Sequence, residues 1–314
     1  MAERSETEVG ARLSGMVLRA RSSFYTVDTP QGLIECRLRG RIRRERQASE
    51  LAVIGDRVSL TALPDGTGII EAVEPRASKF SRRQPGPRGT WREDVLVANL
   101  DQVLIVFSCA DPPPNPRLID RFLVVAEQNE IDALLIANKV ELVGAKEAER
   151  VFELYEELSY PVIYTSARTG QGIEELRETL AGRISVITGP SGVGKSSLLN
   201  TLQPGLRILT AEVSETLHKG RHTTTSAELH PVEGPRRGHV ADTPGLRELG
   251  LFELPASELA WCFREMRPFL GSCAFNDCSH LHEPRCAVRA AVELGDVPPQ
   301  RYESYRRLRT EEAR

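Results

Sequence analysis

Ile184-Ser185-Val186-Ile187-Thr188-Gly189-Pro190-Ser191-Gly192-Val193-Gly194-Lys195-Ser196-Ser197-Leu198-Leu199-Asn200 carries the strongest single signal in the chain. Its middle matches G-x-x-x-x-G-K-[ST], a pattern that chance supplies only about once in a hundred chains of this length. The apolar run before it reads as a buried strand and the residues from Ser197 onward open a helix, which is the context the pattern needs. Glycines let backbone N–H groups turn inward on phosphate oxygens, and the positive end of the following helix adds to that field. Residues Gly189 to Ser197 are therefore candidate nucleotide contacts. Within them, Lys195 is expected to reach the β- and γ-phosphates and the Ser196 hydroxyl to ligate magnesium. The loop alone does not choose between ATP and GTP.

Working outward toward the N-terminus, strands and helices alternate. Gln102–Phe107 and Ala133–Ala137 are continuous apolar runs, as expected of parallel strands covered on both faces. Helical spacing marks Arg117–Asn129, Glu147–Ser159 and Glu174–Leu180, with a further strand at Pro161–Tyr164. This rhythm predicts a doubly wound α/β domain over residues 95–250. Asn138-Lys139-Val140-Glu141, after the second strand, is similar to the N-K-x-D motif, whose carboxylate accepts hydrogen bonds from guanine N1–H and the exocyclic amine. Adenine lacks that donor pair. Glu141 stands where the pattern has Asp, so guanine selectivity is expected with a shift of backbone or base. Thr165-Ser166-Ala167 is similar to the short motif that lies against guanine O6; Arg168 replaces its lysine, which matters little for a contact made by backbone N–H.

On the C-terminal side of the phosphate loop, Asp242-Thr243-Pro244-Gly245 looks like D-x-x-G. Asp242 would hold the magnesium shell and the Gly245 N–H would face the γ-phosphate. Gly220-Arg221-His222-Thr223-Thr224-Thr225 suits the first switch segment. Thr224 is the favoured magnesium ligand there, with Thr223 as its alternative. The base-reading motifs precede the phosphate loop, the reverse of the usual order. A site depends on arrangement in space, so strands rejoined through Glu174–Leu180 leave the pocket unaltered.

Residues 1–80 read differently. About five short strands between Ala11 and Glu74, separated by turns such as Thr29-Pro30-Gln31-Gly32 and Pro64-Asp65-Gly66, predict a small barrel of the oligonucleotide-binding type. Arg37, Arg39, Arg41, Arg43, Arg44 and Arg46, interrupted by Glu45 alone among acids, form either a solvated edge or a phosphate-contacting stripe. The polar stretch over 81–94 reads as a mobile loop or linker.

Near the C-terminus, Cys273, Cys278, His280 and Cys286 offer three thiolates and one imidazole within fourteen residues. That set suits a closed, structural tetrahedral zinc site, with His282 as a substitute for His280. Four protein ligands leave no open position for metal catalysis. Residues 251–314 are expected to form this zinc-binding unit with a charged helical tail. Cys36, Cys109 and Cys262 are dispersed and read as small core residues.

The composition excludes several classes. A net charge of -3 and a pI near 6.2 argue against a uniformly basic nucleic-acid binder. No apolar stretch approaches the roughly 20 residues that span a bilayer, and Met1–Gly10 carries three glutamates and no hydrophobic run, so the cytoplasm is the expected compartment.

Together these motifs resemble the circularly permuted, bacterial ribosome small-subunit-dependent GTPase A (RsgA) family, over nearly the whole chain. The resemblance implies a GTPase that is stimulated by the small (30S) subunit and acts in its late maturation. It also implies contact with ribosomal RNA, one structural zinc, magnesium with GTP, and a monomer. Leu246 follows Gly245 where many GTPases place a water-orienting glutamine. The resemblance points instead to a histidine in the first switch, here His222, whose neutral imidazole can orient water; an exposed loop histidine is the alternative. Leu246 also gives some support to a competing reading, a nucleotide-stabilised RNA-binding module with little turnover. An ATP-using protein is disfavoured by Asn138, Lys139 and Glu141. Gly192, where some potassium-using GTPases carry asparagine, disfavours potassium assistance.

Overall fold

The structure, a computed structural model, describes residues 11–40, 51–85, 91–203, 228–233, 236–242 and 257–311. Five strands open the chain: β1 (Arg12–Arg21), β2 (Phe24–Thr29), β3 (Gly32–Leu38), β4 (Arg57–Ala62) and β5 (Gly68–Val73). The first three form an antiparallel meander; β5 runs parallel to β3 and antiparallel to β4, and β4 returns to β1. This closes the barrel that the turn spacing predicts. Its interior holds Val17, Tyr25, Val27, Cys36, Val58, Leu60 and Ile70, each alternating with outward residues.

The expected linker over 81–94 is corrected by the structure. Strand β6 (Lys79–Pro85) and strand β7 (Trp91–Ala98) pair antiparallel, from Lys79 opposite Ala98 to Pro85 opposite Trp91. Residues 81–85 and 91–94 of the expected linker are therefore strand, and residues 86–90 lie outside the described residues. The inner end is anchored by buried Phe80, Val95 and Val97. A ribbon needs its apolar alternation only where it meets a core.

Then follow β8 (Gln102–Ser108), α1 (Pro116–Gln128), β9 (Asp132–Asn138), α2 (Ala145–Glu157), β10 (Val162–Thr165), α3 (Ile173–Leu180), β11 (Ile184–Thr188), α4 (Lys195–Leu202), β12 (Glu228–Val232) and β13 (Gly238–Asp242). The strand order is β10-β9-β8-β11-β13-β12, parallel except for β12, and β12 continues into β1 of the barrel to make one 11-stranded sheet. Alternate residues of β8 serve opposite cores. Val103, Ile105 and Phe107 face the helix α1 side, whereas Leu104 and Val106 face Leu176, Leu198 and Leu199 of α3 and α4.

The C-terminal segment contains two short 3₁₀ turns, Leu259–Cys262 and Arg264–Phe269, then α5 (Ala287–Leu294) and α6 (Pro299–Glu311). Leu259, Phe263, Met266, Val288 and Tyr305 join the same core as Phe107, Ile119 and Leu123, so this segment packs against α1. Among the described residues, no helix is long and apolar enough to cross a membrane. Cys36, Cys109 and Cys262 are all buried.

Candidate nucleotide site and metal centre

Parallel strands of an open α/β sheet end on the same edge, and ligands bind beyond their carboxyl ends. Four of the sequence motifs lie at such ends: Gly189–Ser196 after β11, Asn138–Glu141 after β9, Thr165–Ala167 after β10, and Asp242 closing β13. The structure brings the first three into direct contact. Asn138 Nδ2 donates to Val193 O at 2.8 Å, and Thr165 Oγ1 donates to Asn138 Oδ1 at 3.1 Å, all three side chains or loops being buried. One amide thus ties the base-reading loop to the phosphate loop on one side and to the Thr165-Ser166-Ala167 turn on the other.

Glycine makes this approach possible. A Cβ on Gly194 (φ 95°) would lie 2.4 Å from Asn138 Nδ2, and one on Gly189 would lie 2.1 Å from Val106 O, so both positions exclude any side chain. Lys195 is buried and its Nζ donates to Gly189 O at 2.7 Å and Pro190 O at 2.5 Å. The ammonium therefore sits inside the turn it is expected to serve. Ser196 and Ser197 follow within the first turn of α4.

Glu141 lies in a single 3₁₀ turn, Val140–Leu142, entered through Lys139 in the left-handed region (φ 64°). Lys139 Nζ donates to Asp111 O at 2.5 Å, on the loop between β8 and α1. The Glu141 Oε2 atom is buried without a hydrogen-bond partner among the described residues. An orphaned buried carboxylate oxygen is costly unless a ligand supplies donors, and guanine N1–H with its exocyclic amine is such a pair. Burial, then the Glu141 charge, push the neighbouring Cys109 thiol up to about 12, so it stays neutral beneath the site. In the adjoining turn, Ser166 N–H is spent on Gln171 O, at 3.0 Å. Ala167 N–H makes no such bond among the described residues, which favours it over Ser166 as the donor facing a base.

His222, Thr223, Thr224, Gly245 and Leu246 lie outside the described residues. Sequence reasoning did not single out Thr165 as the clamp on Asn138, nor the Asp111 carbonyl. Thr165 carried one available signal, its place directly before Ser166-Ala167; a backbone carbonyl carries none.

The second cluster is Cys273, Cys278, His280 and Cys286, whose ligand atoms all lie within 4.8 Å of one another. Cys273 Sγ is 3.5 Å from His280 Nδ1 and 3.8 Å from Cys286 Sγ, and His280 Nδ1 is 3.4 Å from Cys286 Sγ. Metal distances of about 2.3 Å to sulfur and 2.0–2.1 Å to nitrogen in a tetrahedron separate ligand atoms by about 3.5–3.8 Å. The four residues fit zinc. His282 is exposed and outside the cluster, so His280 is the imidazole of the set. Burial depresses the His280 pKa, against a raising effect of Glu283 and with a further lowering by Arg309, which favours the neutral form a metal requires. Burial also pushes Cys278 up to about 12; a divalent cation among the thiols inverts that preference.

The loop around the cluster is over-determined. Glu283 accepts from Ser279 N and Oγ, Leu281 N and His282 N. Although burial raises its pKa, these bonds prevail and hold its carboxyl well below the usual range. From α6, Tyr302 and Tyr305 hydroxyls donate to the carbonyls of His280 and Ser279, each at 2.7 Å.

Comparison with known proteins places these features in context. Residues 73–252 match the family model described as RsgA GTPase, and residues 14–70 match the RsgA N-terminal domain. A small ribosomal subunit biogenesis GTPase RsgA of Gemmatimonas aurantiaca is 48% identical over 301 residues, covering 95% of this chain and 97% of that protein. Its namesake from Moorella thermoacetica is 43% identical, covering 93% and 95%. Among solved structures, YjeQ from Thermotoga maritima superposes with a TM-score of 0.77 at 38% identity, covering 96% and 99% of the two chains. YloQ, described as a circularly permuted GTPase, gives 0.75 at 30% identity, covering 99% and 98%.

Proposed function

Because the chain belongs to the RsgA GTPase family, we propose that it hydrolyses GTP to GDP and phosphate in the late maturation of the small (30S) ribosomal subunit. The subunit and its rRNA would stimulate turnover. The observation that carries the reading is the Asn138 junction, which joins the base-reading loop to the phosphate loop despite their reversed order. Residues 1–80 would act as the barrel, 95–250 as the permuted GTPase domain and 251–314 as the zinc unit. We read the protein as a cytoplasmic monomer.

In this reading Glu141 accepts from guanine, Ala167 N–H faces its O6, and the backbone of Gly189–Ser197 wraps the phosphates. Lys195 shifts from the loop carbonyls to the β- and γ-phosphate oxygens. Ser196, Thr224 and Asp242 hold or orient the magnesium shell, and Gly245 N–H faces the γ-phosphate. Magnesium, when bound, supplies charge neutralisation on the transferring phosphoryl group. Water orientation falls to His222, since Leu246 offers no hydrogen bond.

Phosphate release from GTP, with and without purified small subunits, tests this. Slow release alone and markedly faster release with subunits is expected, with ATP inert in both. Absence of release in either condition would leave the nucleotide-stabilised RNA-binding module that Leu246 suits.

A further inference from the structure

The barrel and the α/β domain enclose a cleft of about 630 Å³ at the amino ends of the parallel strands, away from the phosphate loop. Strand β11 connects the two places: Ile184 lines the cleft, and Thr188 leads into Gly189. Two ion pairs hold the barrel against the sheet, Arg19 Nη2 with Glu228 Oε1 and Arg237 Nη1 with Asp28 Oδ2 at 2.9 Å. Arg57, which opens β4, and Glu74, which follows β5, line the barrel side of the cleft. Arg183, before β11, and Asp101, before β8, line the other.

Between these walls His239 is only 8% exposed, and its Nε2 has no hydrogen-bond partner among the described residues. Asp28 Oδ2 lies 4.0 Å away, too far for a hydrogen bond. Burial lowers the His239 pKa, against a raising effect of Asp28 and with a further lowering by Arg237, so the ring is neutral. A buried polar atom without a partner is costly, and a ligand that supplies one removes the cost. The nitrogen of a neutral imidazole donates or accepts according to its tautomer, and a hydroxyl pairs with either form. The arginines add a second requirement. Arg57 has no side-chain partner among the described residues, and Arg183 Nη1 donates to the neutral amide oxygen of Gln102 at 2.8 Å. Neither guanidinium is neutralised by a carboxylate, so each is available to a phosphate. The cleft also holds Asp28, Glu74 and Asp101. Those acids oppose a doubly charged terminal phosphate more than a singly charged diester, and they accept hydrogen bonds from hydroxyls. A phosphodiester beside a ribose meets all of these conditions, because the 2′-hydroxyl both donates and accepts.

We propose that this cleft binds a ribose-phosphate unit of single-stranded RNA, with Arg57 and Arg183 on the phosphate and His239 on the 2′-hydroxyl. The source of that RNA rests on the proposed role at the small subunit; the cleft itself does not. The test uses the full chain with GDP and magnesium saturating the nucleotide site. It reads fluorescence anisotropy of a labelled uridine octamer and of its deoxy counterpart. Wild type is expected to bind the RNA about fivefold more tightly than the DNA, the worth of one hydrogen bond. R57A/R183A should weaken RNA binding about tenfold and flatten its salt dependence. H239F should erase the preference for RNA, whereas H239Q, which keeps a hydrogen-bonding side chain, should retain it. Thermal unfolding with GDP checks that each variant folds; if H239F does not, the arginine pair decides. RNA binding that is unchanged in R57A/R183A lies elsewhere and overturns the proposal. Displacement of the octamer by UMP as readily as by unlabelled octamer assigns the cleft to a free nucleotide and overturns it too. Basal GTP hydrolysis should be the same in R57A/R183A as in wild type. If wild type releases no phosphate from GTP, the functional reading fails while RNA binding still judges the cleft.

Discussion

At the scale of single residues, Glu141 is the most consequential departure from pattern. Its extra methylene is accommodated because the residue sits in one 3₁₀ turn behind a left-handed Lys139, which carries the carboxylate to a buried position with Oε2 unpartnered among the described residues. Replacing it with glutamine exchanges one acceptor for a donor. E141Q should weaken GTP binding at least about tenfold, since a buried hydrogen bond to a charged group is lost. Xanthine nucleotide, whose edge offers the complementary acceptor, should gain relative to GTP. Competition binding with the two nucleotides checks this, and an unchanged preference would remove Glu141 from base reading. His222 belongs to the same scale. H222A should lower subunit-stimulated turnover while leaving nucleotide affinity nearly intact; equal turnover eliminates its role.

At the scale of elements, the loops matter more than the strands that carry them. Asn138 is legible as a motif residue, but its work is seen only when β9 and β11 lie two strands apart, with β8 between them. N138A leaves Val193 O and the Thr165 hydroxyl without a partner in a buried setting. Each such loss costs about 1–3 kcal/mol, so the variant should unfold at lower denaturant and bind all guanine nucleotides less tightly. The zinc loop behaves similarly. The Cys273, Cys278, His280 and Cys286 set was readable from residue type and proximity with His280 preferred over His282, and the structure gathers those four while His282 is exposed outside them. Metal analysis should find about one zinc per folded chain, and C278S should lose it along with thermal stability. Retention of full zinc in C278S would exclude Cys278 as a ligand. The β6–β7 ribbon shows the opposite failure. Polar residues of β6 and β7 hide a strand pairing whose buried anchors lie at Phe80 and Val97.

At the scale of the molecule, the C-terminal segment that carries the Cys3His cluster is fastened to α1 by buried charge. Arg301 of α6 is fully buried; its Nη1 meets Asp120 of α1 at 2.6 Å and its Nε meets Glu265 at 2.6 Å, with Phe263 stacked 4.7 Å from the guanidinium. Tyr155 of α2 adds a hydrogen bond to Asp120 at 3.1 Å. Breaking one member strands the rest: R301M should destabilise by about 3–5 kcal/mol, read from denaturant unfolding. Neutralising both acids as well (D120N, E265Q) should recover much of that loss. A small effect of R301M alone would show that the junction is held by Phe263, Met266 and Tyr305 instead.

The sequence by itself determined the barrel, the doubly wound domain, the phosphate-loop motif and the Cys3His set that could hold a metal ion. Each rests on local spacing: period-two apolar strands, glycines where backbone must approach phosphate, thiols and imidazole within one loop. Only the tertiary structure decided how these parts are joined. Arg301 sits in a helix so charged that it reads as solvated, and Arg19 lies 209 positions from Glu228. Charge pairs across domains obey no sequence period. Their energy depends on burial and distance, and those exist only once the chain has folded.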